Sequence, residues 1–157
     1  MSAKTLCMAC LLLVGMLVWT AAGTHAQIPD HPMSQLAEIT APDVYVRCGP
    51  SQNHYPVSKL QAGNRVTVVS ENDQWYEILP TPDTFSWISE VYVDTVDNRN
   101  GVVNGDNVRV RAGSALETWE KHRSHPQLML SKGAEIDIVG SSPDGWLKIK
   151  PPKGVTF

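Results

Sequence analysis

Cysteine is scarce in this chain of 157 residues, with three in all. Cys7 and Cys10 fall within the first 26 residues, so Cys48 has no partner in the remainder, and a disulfide framework is excluded there. Runs of one charge are also missing. Thirteen basic side chains face sixteen acidic ones, a formal charge of −3. A nucleic-acid partner, which calls for a basic face, is therefore not expected. One long apolar run exists, residues 6–19, and its 14 residues fall short of the roughly 20 that a helix needs to cross the hydrocarbon core. Lys4 precedes it and the small-residue stretch AAGTHA follows, the layout of a secretory signal peptide over residues 1–26. Cleavage is expected after Ala26. It would leave twelve basic against sixteen acidic side chains, a charge of −4, with no stable membrane insertion and an extracytoplasmic (periplasmic or secreted) location.

What the remainder does contain is the same pattern twice. EITAPDVYVRCGPS (38–51) is answered by VVNGDNVRVRAGSA (102–115): Val44, Val46, Arg47 and Gly49 recur as Val108, Val110, Arg111 and Gly113, all 64 positions on. Leu60 and Gly63 meet Leu130 and Gly133 at an offset of 70, while Trp75, Ile78 and Pro80 meet Trp146, Ile149 and Pro151 at 71. The offset grows only within loops, as two copies of one fold require.

Each copy reads as strands, because apolar residues alternate at period two: Val44 with Val46, Val66 with Val68, Tyr76 with Ile78. Clusters of turn-forming residues (GPSQN, SEND, PTPD, NRNG, SSPDG) separate them at short intervals. The pattern predicts an all-β chain of small barrels or sandwiches. Composition divides it into a leader at 27–37, a first domain at 38–93, a linker at 94–101 and a second domain at 102–157.

The run VYVRCGPS, then LQAGNRVTVV, QWYEI and SWI, resembles the bacterial SH3-like pattern V-x-V-R-x-G-P-S, L-x-x-G-x-x-V-x-V, G-W-x-K-V and G-W-V, over residues 38–93. The resemblance implies two SH3-like β-barrels in tandem. The second is truncated at its C-terminus, since Phe157 lands on Ser86 and counterparts of residues 87–93 do not follow. It implies a non-catalytic module that binds a peptide, peptidoglycan or a protein partner, with two sites in series raising effective concentration. The alternatives it leaves open are the targeting portion of a cell-wall hydrolase and an envelope sensor or docking protein. In SH3 domains a peptide groove is lined by aromatics; the resemblance carries that role to Trp75 and Tyr92, with Tyr45, Tyr55 and Trp87 as further candidates. Strand alternation adds that Trp75 faces away from Ile78.

Other chemistry is thin. Arg47 and Arg111 repeat in register, either as an anion site or as side chains that pair with a neighbouring acid or cap a turn. His122 and His125, near Glu120, fall in a loop that runs 20 positions from Gly113 to Gly133 where the first copy has 14 from Gly49 to Gly63. No complete ligand set is legible there, and neither a metal nor a cofactor is expected. Cys48 with His54 is the only nucleophile and base close in sequence, and Cys48 shares the core-facing phase of Val46, so no enzymatic activity is expected.

Overall fold

A computed structural model of the chain describes residues 34–157; the signal-peptide reading of residues 1–26 lies outside the described residues. Among the described residues there is no α-helix, and no helix long and apolar enough to cross a membrane. The first copy forms β1 (Gln35–Glu38), β2 (Val44–Arg47), β3 (Pro56–Leu60), β4 (Arg65–Asn72), β5 (Trp75–Ile78), β6 (Ser86–Ser89), a 3₁₀ turn at Glu90–Tyr92, and β7 (Val93–Thr95). The second forms β8 (Asn100–Val103), β9 (Val108–Ala112), a 3₁₀ turn at Glu117–Trp119, β10 (Pro126–Leu130), β11 (Glu135–Ser142) and β12 (Trp146–Ile149).

The repeat in sequence is a repeat in register. β4 pairs with β5 through Val68↔Ile78 and shifts by one residue before Ser70↔Glu77. β11 pairs with β12 through Ile138↔Ile149 and shifts likewise before Gly140↔Lys148. Such a shift adds one residue to one strand and sharpens its twist. Gly63 and Gly133 open these hairpins at φ 86° and 87°, a left-handed conformation that glycine adopts without steric cost. Beyond what alternation predicts, β1 and β8 add an outer strand to each copy. β1 pairs with β4 at the end of the stretch read as a leader, and β8 with β11 at the end of the stretch read as a linker.

The strands form three sheets: β1-β4-β5, β2-β3, and a seven-stranded sheet in the order β10-β9-β6-β12-β11-β8-β7. That last order carries an exchange. β6, which follows β5 in sequence, does not pair with it; it lies between β12 and β9 of the second copy, through Leu147↔Ile88 and Trp87↔Arg111. β7 then pairs with β8 through Val93↔Val103. Residues 87–93 thus lie in the sheet of the second copy rather than beside β5. At the other end, Phe157 pairs with Ile78, donating to its carbonyl at 2.9 Å and accepting from its N–H at 2.7 Å. Ser86 faces Ile149 in the same register.

Two buried clusters follow from this arrangement. One gathers Ile88 and Val93 with Val103, Val108, Val110, Ile136, Ile138, Leu147 and Ile149. The other gathers Val46, Cys48, Tyr55, Val57, Leu60, Val66 and Ile78, and is joined by Ala112 with Phe157 packed against it. Tyr76 departs from the sequence reading. It shares the phase of Ile78 but is 61% exposed, whereas Leu147 at the matching position is 5% exposed. Leu147 is roofed by β6, and Tyr76 has no such strand over it.

The loops of the two copies pack together through rings. Tyr55 stacks on Trp119 (6.2 Å between centroids) and donates its hydroxyl to the Ala112 carbonyl at 2.8 Å. Burial holds that hydroxyl well above the ordinary phenol pKa. His122 lies 4.6 Å from the Trp119 ring, and His54 meets His125 edge to face at 5.1 Å. His125 is partly buried, and that burial first, then the neighbouring His54, lowers its pKa. The unfolded chain therefore binds the proton more tightly, so this stabilising contribution is complete above the ordinary histidine pKa and is lost as pH falls through the lowered value. Denaturation midpoints should accordingly drop between about pH 7 and pH 5, and His125→Gln should flatten that dependence. An unchanged slope in the variant would remove His125 as its source.

Candidate functional site

The repeated arginines are local clamps. Arg47 donates through Nη1 to the carbonyl of His54 at 2.7 Å, and Arg111 through Nη1 to those of Arg123 and Ser124 at 3.0 and 3.2 Å. Each guanidinium satisfies carbonyls of the loop that follows its own strand, so it stays with the chain rather than offering an anion site. The repeated glycines sit under rings in both copies. A Cβ on Gly49 would meet the His54 ring at 2.6 Å, and one on Gly113 the Phe85 ring at 2.1 Å.

The tryptophan at the opening of the third repeated strand is treated differently in the two copies. In the second, Arg123 from the longer loop reaches across, its guanidinium 4.5 Å from the Trp87 ring centroid and 5.4 Å from that of Trp146. Nη1 meets Asp144 at 2.5 Å and Nη2 meets the Ser142 hydroxyl at 3.0 Å, leaving the Arg123 side chain 13% exposed. The hydrogen bond from Ser142, then that from Arg123, holds the Asp144 carboxyl below the usual carboxylate range. A cation on two indole rings with a carboxylate at its edge is a guanidinium site, and this one is filled from within, although Arg123 Nε is buried without a hydrogen-bond partner.

In the first copy, Trp75 occupies the place of Trp146, and Asp73 stands two residues before it as Asp144 stands before Trp146, in a turn one residue shorter. The shorter loop supplies no equivalent of Arg123, and Trp75 is partly exposed at the start of β5, beside Asn72. The other aromatics scatter. Tyr45 is 46% exposed on β2, with the Lys59 ammonium 4.8 Å and the Arg47 guanidinium 5.6 Å from its ring centroid. Lys59 also meets Asp43 at 3.3 Å, and the Gln61 amide first, then Lys59, keeps that carboxyl below its usual range. Tyr92 is 49% exposed, in the 3₁₀ turn between β6 and β7 and beside Gly105. Tyr55 and Trp87 are buried, the first under Trp119 and the second against Phe85 at 5.2 Å and under Arg123. Among the described residues, no ring contact links Trp75, Tyr45 and Tyr92 to one another. Trp87 and Phe85 instead line a recess of about 360 Å³ with Glu117, Glu120 and Lys148 at its rim.

Sequence reasoning missed Arg123, weighing only the histidines and Glu120 of its loop. The usable signal was the coincidence of a longer loop containing Arg123 with an Asp-x-Trp turn in the same copy. The loop histidines belong to the ring packing described above, and among the described residues no three His, Cys, Asp or Glu side chains gather as metal ligands do. Cys48 is buried, which raises its thiol pKa, so the thiolate that a nucleophile needs is disfavoured.

No curated protein and no solved structure matches the chain. Residues 42–94, from the turn before β2 into β7, match the family described as the bacterial SH3 domain, a similarity that suggests a binding module.

Proposed function

We propose that the chain is an exported, non-catalytic binding module that takes a peptide or peptidoglycan-type cell-wall ligand through its SH3-like repeats. The observation that carries this reading is the contrast between two equivalent tryptophans. Trp146 is covered by the Arg123 guanidinium, held in place by Asp144, whereas Trp75, with Asp73 two residues before it, has no such cover from its own loop. A partly exposed indole with an acidic residue in the turn before it suits the cationic side chain of a peptide. The filled site in the second copy serves as the template for what the first would hold. Peptide stems of a cell wall and basic peptide segments both offer such groups.

Trp75→Ala tests the reading. The side chain is not among the buried cluster residues, so the variant should keep the melting temperature within a few degrees. It should weaken retention on purified peptidoglycan, or on an immobilised arginine-containing peptide, about five- to thirtyfold, the loss of one cation–ring contact and its surrounding burial. A variant that melts far lower would place Trp75 in the core, and unchanged retention would remove it from the site.

A further inference from the structure

The Arg123 guanidinium rests on a tryptophan whose counterpart does without a cover. Trp75 opens β5 as Trp146 opens β12, and the first copy carries it partly exposed. The groups that receive Arg123 are fixed by the sheet: Trp87 stands on β6, Trp146 on β12 and Ser142 on β11, three neighbouring strands, with Asp144 in the turn between the last two. Arg123 itself comes from the loop that precedes β10. Its seat is imperfect. Nη1 and Nη2 are bonded to Asp144 and Ser142, but Nε is buried with no hydrogen-bond partner, and an unsatisfied buried donor on a charged group counts against the arrangement.

We infer that Arg123 is a self-ligand: the tray of Trp87, Trp146 and Asp144 is a second binding site, for the arginine side chain of a peptide, and the chain's own guanidinium plugs it. This deepens the binding-module reading above and rests on it for the peptide nature of the ligand. The side-chain class is read from the occupant, since two rings and a carboxylate match a planar, forked cation better than a compact ammonium. Room for the rest of the peptide adjoins the tray. The recess of about 360 Å³ shares Trp87 with it and is lined also by Ser141, the chain neighbour of Ser142. Glu117 and Glu120, both exposed, stand at its rim and come from the same loop as Arg123. Lys148, on the Phe85 ring at 3.8 Å from its centroid, is the one cation of that lining. Two carboxylates against one ammonium leave the recess negative, which favours the approach of a basic peptide.

Displacing the plug leaves the core and the loop's own anchors alone. Arg111 binds the carbonyls of Arg123 and Ser124, and His122 packs on the Trp119 ring. None of these contacts uses the Arg123 guanidinium, so the side chain can swing off the tray while the loop backbone stays. A plug of this kind lowers the apparent affinity for a competing ligand by the fraction of time that the site is open. Dilute arginine-bearing peptide is then refused, and peptide presented at high local concentration is admitted.

The test uses the full chain carrying Trp75→Ala, so that the first site is silent, and a short fluorescent peptide with one central arginine, beside the same peptide with lysine. Arg123→Gln keeps most of the stem and removes the plug. It should raise affinity for the arginine peptide about tenfold or more, the gain from withdrawing a plug seated at least about nine-tenths of the time, and raise it less for the lysine peptide. Adding Asp144→Asn should abolish the gain. Should the glutamine variant fail to melt cooperatively, Arg123→Lys, which keeps charge and stem but not the fork, carries the test, with a smaller gain expected. Unchanged affinity in a folded variant, or a gain that persists with Asp144→Asn, overturns the inference and leaves Arg123 a structural clamp. Loss of cooperative melting in both variants overturns it as well. If retention by the otherwise unaltered chain still depends on Trp75, the binding-module reading survives that failure.

Discussion

Replacing Ile88 by alanine should destabilise the protein by about 2–5 kcal/mol, the range for truncating a fully buried isoleucine. The loss should appear in the second repeat, although Ile88 belongs to the first in sequence. Its side chain is fully buried (0% exposed), in the cluster with Val103, Val110, Leu147 and Ile149. Its main chain pairs with Leu147. Hydrogen exchange is the discriminating measurement: protection should fall at β8, β9, β11 and β12 and hold at β2, β3 and β4. Loss confined to β2 to β5 would mean that β6 closes its own repeat, and the exchange of strands described here would be wrong.

The second large effect is expected at Gly113. An alanine there places Cβ 2.1 Å from the Phe85 ring, inside any tolerable contact. The ring cannot swing aside freely. It is buried, the Trp87 ring lies edge-on at 5.2 Å, and the Lys148 ammonium sits 3.8 Å from its centroid. The backbone is held as well, since the Gly113 N–H donates to the Phe85 carbonyl at 3.0 Å. Gly113→Ala should therefore cost about 1–3 kcal/mol or somewhat more, as overpacking does. Combining it with Phe85→Ala should cost less than the sum of the two single changes, because the cavity left by the ring receives the added methyl. Strict additivity in urea unfolding of the four proteins would show that the two residues do not press on one another.

These two sites also mark the limit of what the chain discloses by itself. Alternation along VYVR, RVTVV, WYEI and SWIS identifies strands because period two is a local property. The recurrence of Val44, Arg47 and Gly49 at a constant offset identifies the duplication for the same reason. Nothing local distinguishes β6 beside β5 from β6 beside β12. Trp87, Ile88 and Val93 suit either slot, and the choice is made by edges supplied 50 or more residues later, at Leu147 and Ile149. The exposure of Tyr76 follows from that choice and was hidden with it. Arg47 and Arg111 were legible as turn caps, since a repeated arginine beside a repeated loop has carbonyls within reach. Arg123 was not, because its partners Trp87, Ser142 and Asp144 come from three separate segments.

The crossing of β6 into the second sheet also fixes an order of events during synthesis. Residues 86–95 leave the ribosome when, of the described strands, β1 to β5 alone have emerged, and the strands that finally hold them, β8, β9 and β12, do not yet exist. The nascent segment must wait unpaired or lodge briefly on β5, and it can reach its final berth only after Ile149 has emerged. Translation speed across residues 100–149 thus bears on how long an apolar strand stays available to chaperones or to a neighbouring nascent chain.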